Sequence, residues 1–141
     1  MVLLATDALH RYQNATGATV DKTTKFLTIS PSDYAALKPL SFNINGVCYR
    51  LPFPYHIADI DIQKIFDLTP NAQTWPRPLN TAIGGKAAAI YLIIGDLGQP
   101  SGKGFDFTNG YAFLERYYTV YDTANKRVGF APTPFTYATT N

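Results

Sequence analysis

Short segments in which apolar and polar residues alternate, each ended by a turn, recur along this chain of 141 residues. Residues 40–44 show the period of two that is typical of strands, and Asn45-Gly46 directly after them is a strong signal for a hairpin turn. Residues 117–122 and 127–131 flank a turn-like tetrad and predict a second hairpin. Because strands are usually about 3–10 residues long, this pattern favours a fold built from many short strands.

The composition agrees with a mostly β protein that contains short helices. Ten Tyr and nine Phe favour strands, where flat rings pack on the pleated surface, and ten Gly and ten Pro supply turns. One helix is expected near the start, with Thr6 as its N-cap, Asp7 at the positive end of its dipole and Gly17 as its left-handed end. Residues 90–94 predict one strongly apolar strand, and residues 32–37 predict a single helical turn.

Charge and hydropathy exclude several classes of protein. Only 16% of the residues are charged, and the formal net charge is +2. The longest basic run is Lys126-Arg127, so there is no cluster of the kind that binds nucleic acid. The longest apolar run, residues 87–94, is too short to span a membrane, and residues 1–5 lack the features of a secretory signal. Cys48 is the one cysteine, so no internal disulfide can form.

Four segments resemble one family, and they occur in the family's order. Residues 110–122 read Gly-Tyr-Ala-Phe-Leu-Glu-Arg-Tyr-Tyr-Thr-Val-Tyr-Asp, which is similar to the last conserved block of the pepsin-like aspartic proteases. Residues 126–132 resemble the closing strand of that fold, residues 42–47 its Phe-Thr-Ile-Asn-Gly-Val strand and turn, and residues 6–18 the helix after its second catalytic motif. The resemblance covers most of the chain and implies that residues 1–141 are the carboxy-terminal lobe of the bilobal pepsin-like barrel.

Two further segments, residues 71–77 and 91–96, resemble the polyporopepsin-like fungal branch of this family. The resemblance implies an aspartic endopeptidase, in which two carboxylates share a proton and activate a water molecule. It also implies a secreted protein, a peptide or protein substrate, an amino-terminal lobe as partner, and no cofactor. Asn109, Gly110 and Tyr111 are thereby expected to support the active loop, although the family usually has Asp at the position of Tyr111.

The catalytic motif of the family is the main departure. Each lobe of a relative carries one Asp-Thr-Gly, and this sequence contains neither Asp-Thr-Gly nor Asp-Ser-Gly. In relatives the second motif lies a few residues before the equivalent of Leu3. We therefore expect a lobe truncated at its N-terminus, with no catalytic residue of its own and no activity alone. Such a lobe is expected to expose strand edges and apolar surface, and therefore to self-associate.

Other patterns point less clearly to function. Residues 96–98 read Asp-Leu-Gly after an apolar strand, as a catalytic motif does, but the middle residue lacks a hydroxyl and we interpret the segment as a turn. Residues 98–104 resemble a phosphate-binding loop whose glycine spacing is one residue short. His10 and His56 have no cluster of further ligands, so no metal site is predicted.

Three segments leave alternatives open. The sequence around Asn14 is an acceptor for N-glycosylation if the protein is secreted. Trp75 favours a loop anchor over a sugar-stacking platform. Residues 52–68 sustain neither period. Residues 49–57 can be aligned with a proline-containing loop of the family, or residues 47–66 are an inserted segment such as a retained intron. Removing them joins Asn45-Gly46 to a continuation that has the order of the polyporopepsin-like branch.

These interpretations lead to three candidate functions. The chain is the cleft-forming half of an aspartic endopeptidase, a non-catalytic interaction module that uses an exposed interlobe surface, or a carbohydrate-binding β domain. The polar tail, residues 133–141, is expected to fray. The core is expected to contain six residues on the apolar phase of strands or in a conserved block of the family: Phe42, Ile44, Ile93, Phe113, Val120 and Phe130.

Overall fold

The computed structural model describes residues 1–42 and 66–138, which form short strands joined by turns and short helices. The strands are β1 (Val2–Leu4), β2 (Thr19–Val20), β3 (Leu27–Ile29), β4 (Leu40–Phe42), β5 (Phe66–Leu68), β6 (Ile90–Leu92), β7 (Ile94–Asp96), β8 (Phe107–Asn109), β9 (Tyr117–Asp122) and β10 (Arg127–Pro132). The helices are α1 (Thr6–Thr16), α2 (Pro31–Ala35) and α3 (Tyr111–Leu114), and single 3₁₀ turns lie at Asn71–Gln73 and Arg77–Leu79. The prediction of a β protein with short helices is confirmed for these residues. The hairpin predicted at Asn45-Gly46 and residues 47–65 lie outside the described part.

β1 is the central strand of a three-stranded sheet. It pairs in parallel with β7, where Val2 lies opposite Ile94, and antiparallel with β8, where Val2 lies opposite Asn109. Val2 and Ile94 are completely buried. α1 follows β1 directly and packs against β7, so this sheet and helix enclose the central part of the core.

The apolar run at residues 90–94 forms two strands, which differs from the single strand predicted. β6 pairs with β3, whereas β7 pairs with β1. Ile93 lies between them: its amide donates to the carbonyl of Gln73 at 2.9 Å, and its carbonyl accepts from the amide of Val2 at 2.9 Å. Because these bonds lead to two different neighbours, the chain changes sheets at Ile93 while every residue of the run stays buried.

The remaining strands form small separate sheets. One has the order β2–β3–β6, and two-stranded sheets are formed by β4 with β5 and by β9 with β10. β9 and β10 are the second predicted hairpin, with Tyr117 opposite Pro132 and Asp122 opposite Arg127, and this prediction is confirmed. Within residues 1–42 and 66–138 no sheet closes into a barrel, so the barrel implied by the resemblance is not seen there.

α1 ends as predicted but begins differently. Gly17 has a φ of 72°, and its amide donates to the carbonyl of Gln13, which is the left-handed helix end that the sequence indicates. The predicted N-cap is wrong, because Ala5 precedes the first helical residue and Thr6 already lies inside the helix. The Thr6 hydroxyl instead donates to Oδ1 of Asp96 at 2.7 Å. The Leu9 amide donates to the Ala5 carbonyl at 2.8 Å, and this first intrahelical bond makes Ala5 the N-cap position.

Most of the predicted core residues inside the described part are buried. Phe42, Ile93 and Phe113 are at most 5% exposed. Phe130 is half-buried and meets the Phe113 ring edge-on, with 5.5 Å between the ring centroids. Ile44 lies outside the described residues.

Val120 contradicts the core prediction, because 51% of its surface is exposed. Phe130 lies opposite Thr119 in the hairpin. Since side chains alternate along a strand, Val120 points away from the face on which Phe130 packs. It shares the outer face with Tyr118, which is 65% exposed.

Arg116 holds the carboxy-terminal tail against the core. This residue is 3% exposed, and its Nη1 donates to the carbonyl oxygens of Phe135 at 2.9 Å and Ala138 at 3.3 Å. In return, the hydroxyls of Thr133 and Thr136 donate to the carbonyl of Arg116. A buried guanidinium needs acceptors for its N–H groups, and the tail supplies them. These bonds hold residues 133–138, whereas residues 139–141 lie outside the described part, and fraying of the tail stays a prediction.

Candidate functional site

The start of β1 meets the loop between β8 and α3. Gly110 precedes α3, and a Cβ atom on it would lie 2.3 Å from the carbonyl oxygen of Met1. Any side chain here would push Met1 away, so this close approach of two backbones requires glycine. The contact between Met1 and Gly110 defines the corner at which β1 enters the core.

The two neighbours of Gly110 lie at the same corner. Asn109 ends β8 opposite Val2, and its Oδ1 is buried without a hydrogen-bond partner among the described residues. Tyr111 is 77% exposed and borders a groove that Met1 also lines. The structure thus brings together the three residues that the resemblance assigns to the active loop. Their support of catalysis stays a prediction.

The groove beside this corner has a volume of about 750 Å³. Its walls include Met1, Trp75, Ile93, Tyr111 and Phe135. Most of the wall is apolar, and Phe135 is 66% exposed.

A buried glutamine connects the groove wall to the core. Gln73 is completely buried, and its Oε1 accepts from the Tyr12 hydroxyl at 2.8 Å. Its Nε2 donates to the carbonyl oxygens of Lys38 at 3.0 Å and Leu68 at 2.9 Å. Burial raises the pKa of Tyr12 well above its usual range, so this hydroxyl stays a donor. The sequence identifies residues 71–77 only through their resemblance to the fungal branch. The hydrogen-bonding role of Gln73 was not predicted, because a single amide side chain among turn residues gives no periodic signal.

Trp75 is a wall residue and not an exposed platform. It is half-buried, and its ring centroid lies 6.0 Å from that of Phe26. Its amide donates to the carbonyl of Tyr91 at 2.8 Å. This packing favours the loop-anchor interpretation. A sugar-binding platform requires an open, flat aromatic face, so the carbohydrate-binding alternative has no support at Trp75.

The Asp-Leu-Gly segment at residues 96–98 is a turn at the end of β7. Oδ1 of Asp96 accepts from the Gly98 amide at 2.9 Å and from the Thr6 hydroxyl at 2.7 Å. These two hydrogen bonds, followed by the charge of His10, hold the pKa of Asp96 below its usual value. Asp96 therefore joins β7 to α1, as a turn residue does.

The glycine-rich loop at residues 98–104 has amides that are already engaged. The Ser101 amide and hydroxyl both donate to Asp7 at 2.8 Å, and the Gly102 amide donates to Asp106 at 2.6 Å. The bonds from Ser101 hold the pKa of Asp7 well below its usual range. A phosphate site needs such amides free to face the anion. The loop instead binds the first turn of α1 through the hydrogen bonds from Ser101 to Asp7. The phosphate-binding alternative therefore has no support.

The other polar residues singled out in the sequence lie apart from the groove. Asn14 and His10 are exposed on α1. Within residues 1–42 and 66–138, no three His, Cys, Asp or Glu side chains form a group that could hold a metal ion. In the same part of the chain, no helix has the length and apolar character needed to cross a membrane. Cys48 and His56 lie outside the described residues.

Comparison with solved structures defines the class of protein. No family model matches the chain. The fold matches the crystal structure of an aspartic proteinase from Irpex lacteus with a TM-score of 0.83 and 50% identity, over 100% of this chain and 36% of that chain. The chain is a homologue of the pepsin-like aspartic proteases and corresponds to one lobe of such an enzyme, which confirms the family indicated by the sequence.

Curated relatives identify the branch. Polyporopepsin of Irpex lacteus is 50% identical over 141 residues, which are 100% of this chain and 36% of that protein. Pepsin-2B of Gadus morhua is 37% identical over 73 residues, which are 50% of this chain and 22% of that protein. The chain is thus a polyporopepsin-like homologue that spans 36% of the length of its fungal relative.

Proposed function

We propose that the chain forms the carboxy-terminal half of the substrate cleft in a secreted pepsin-like aspartic endopeptidase. The observation that carries this proposal is the 50% identity to polyporopepsin along the whole chain. The groove beside Met1 would receive part of a peptide substrate. Asn109, Gly110 and Tyr111 would support the loop that carries a catalytic aspartate.

The described carboxylates with shifted pKa values are engaged in local structure. Proteolysis by this class of enzyme requires two carboxylates that share one proton. The carboxylates with shifted pKa values in residues 1–42 and 66–138 are all lowered by hydrogen bonds from neighbouring groups: Asp7, Asp21, Asp96 and Asp122. In our proposal the chain supplies cleft surface, and the catalytic pair comes from residues outside it.

The isolated chain is expected to show no pepstatin-sensitive cleavage of denatured globin at acid pH, because it contains no Asp-Thr-Gly. Adding a separately produced polypeptide for the remainder of polyporopepsin, with both catalytic motifs, is expected to restore cleavage that pepstatin abolishes. Cleavage by the chain alone that pepstatin abolishes would contradict the predicted inactivity. Failure of the two polypeptides to associate would contradict the lobe assignment.

Two glycine variants test whether the corner at Met1 is needed for reconstitution. Gly110→Ala places a Cβ against the carbonyl of Met1 and is expected to prevent reconstitution. Gly129→Ala is the matched control, because the nearest atom to its Cβ is in Val120 at 3.9 Å, an ordinary contact distance. Equal reconstitution by both variants would show that the corner at Met1 does not shape the active loop.

A second candidate function, a non-catalytic interaction module, is favoured by the hairpin of β9 and β10. Tyr118 and Val120 share its outer face with their cross-strand partners Ala131 and Gly129. All four are exposed, and none is charged. In the described part of the chain these two strands pair only with each other, and an isolated two-stranded hairpin is marginally stable in water. Exposed uncharged residues on one face of a hairpin favour association with a second copy of the chain.

Sedimentation of the purified chain at micromolar concentration is expected to show self-association. Val120→Lys places a charge in the middle of the outer hairpin face and is expected to shift the chain toward the monomer. Val20→Lys is the matched control, since Val20 is 53% exposed on β2 and Val120 is 51% exposed. A parent chain that sediments as a stable monomer and unfolds cooperatively would contradict this second function.

A further inference from the structure

Asn14 carries a modification signal that the proposed cleft does not use. In the 141 residues, Asn14-Ala15-Thr16 is the one Asn-X-Ser/Thr sequence in which X is not proline. It occupies the last turn of α1, and the left-handed Gly17 ends the helix directly after it. Such sequences also occur by chance, so the position in the fold decides whether this one can carry a glycan.

α1 has one buried face and one exposed face. Leu9 and Tyr12 are its buried residues, and the Tyr12 hydroxyl is bonded to Gln73. Asn14 and His10 are both exposed, and residues four apart lie on the same side of a helix. A large group on Asn14 therefore extends into solvent and leaves the packing of Tyr12 intact.

Asn14 also lies near the end of α1, where a glycan can be attached. It is about 12 Å along the helix axis from Thr6, the first residue of α1, at about 1.5 Å per residue. No residue of α1 lines the groove beside Met1. The Thr16 hydroxyl donates to the carbonyl of Tyr12 at 2.8 Å. This bond belongs to the last turn of the helix, and helix ends open more readily than their centres.

We propose that Nδ2 of Asn14 is a site of N-linked glycosylation, an inference that rests on the proposal that the chain belongs to a secreted protein. The glycan donor is a lipid-linked oligosaccharide diphosphate. The anomeric carbon of the sugar forms a bond to Nδ2 while its bond to the diphosphate breaks. The amide loses one proton to the transferase, and the lipid diphosphate leaves. The glycan then covers the exposed face of α1 beside His10.

Translation of the full chain behind a secretion leader, in the presence of microsomes, tests this site directly. The product is expected to gain the mass of one glycan, which peptide N-glycosidase removes. Asn14→Gln and Thr16→Ala are expected to abolish the gain, whereas Thr16→Ser keeps the acceptor sequence and the glycan. A chain that is protected inside microsomes but unmodified would overturn the proposal, and so would a glycan that persists in Asn14→Gln.

A second control separates this result from the cleft proposal. Asn125→Gln changes an exposed asparagine outside any acceptor sequence and is expected to leave the glycan unchanged. Reconstitution of proteolysis uses protein made in bacteria, which carries no glycan. Restored proteolysis without a glycan in microsomes would refute only the Asn14 site, and a glycan without restored proteolysis would refute only the cleft role.

Discussion

Replacing Phe113 with alanine is expected to lower the free energy of unfolding by about 3–5 kcal/mol. Phe113 is completely buried, and its ring stacks on that of Tyr117 with 4.7 Å between the centroids. It meets Phe42 and Phe130 edge-on at 5.7 and 5.5 Å. Truncation removes these contacts and leaves a cavity that three rigid rings cannot fill. Because small domains are stable by only about 5–15 kcal/mol, this one change removes much of the stability.

Chemical denaturation followed by fluorescence measures this loss. Val20→Ala is the matched control, because Val20 is 53% exposed on β2, outside the hairpin face that we propose for association. Its effect is expected to stay within about 0.5 kcal/mol, as for most surface substitutions. Equal losses in the two variants would show that the hairpin and α3 do not pack as the structure describes.

Features that depend on local chemistry were predictable from the sequence. Gly17 ends α1 because only a residue that tolerates positive φ fits there. The hairpin of β9 and β10 follows from a turn that acts on its own neighbours. The short helix α2 begins where the Ser30 hydroxyl accepts from the Asp33 amide, close to the helical turn predicted at residues 32–37. In each case the determining contacts lie within a few residues.

The errors arise where a distant residue competes with a local one. The Thr6 hydroxyl bonds to Asp96, which is 90 residues away in sequence. The apolar run at residues 90–94 divides because Ile93 bonds to both Gln73 and Val2. No local window contains these partners, so periodicity alone predicted an N-cap in one case and one continuous strand in the other.

Val120 shows a different limit of prediction from strand alternation. Alternation along β9 separates its two faces correctly, but both faces carry apolar residues. The pattern therefore does not tell which face packs on Phe113 and which remains open. The family resemblance placed Val120 in a conserved core block. Its exposure in this chain agrees with the second candidate function, in which the outer hairpin face takes part in self-association.

The candidate site was predictable through resemblance and not through pattern. Asn109, Gly110 and Tyr111 are unremarkable as a local sequence, and no motif links them to Met1. They meet Met1 because β8 pairs with β1, whose residues lie more than one hundred positions earlier. Only the match to a conserved block of the family indicated this corner. The hydrogen bonds of the buried Gln73 could be identified only from the structure.

Replacing Gln73 with glutamate is expected to lower the free energy of unfolding at neutral pH by about 3–5 kcal/mol. The Gln73 amide gives two hydrogen bonds, to the carbonyl oxygens of Lys38 and Leu68. An ionised carboxylate donates neither, and each buried acceptor left without a donor costs roughly 1–3 kcal/mol. The new charge also lies where the native side chain is 0% exposed, so its desolvation adds to the loss.

The pH dependence of Gln73→Glu tests whether buried charge causes this loss. Burial raises the pKa of the introduced carboxyl above the roughly 4.3 of an unfolded chain. A group with a raised folded-state pKa contributes its stability below the unfolded pKa and loses it as the pH rises through the folded pKa. The difference in unfolding free energy between variant and parent is therefore expected to be smallest near about pH 4 and to grow toward neutral pH.

Tyr12→Phe is the control, because it removes one donor to Oε1 of Gln73 without adding a titratable group. Its cost of about 1–2 kcal/mol is expected to be the same at acid pH and at neutral pH. A Gln73→Glu variant whose loss does not change with pH would show that water reaches this side chain and that the network does not bridge the core and the groove wall.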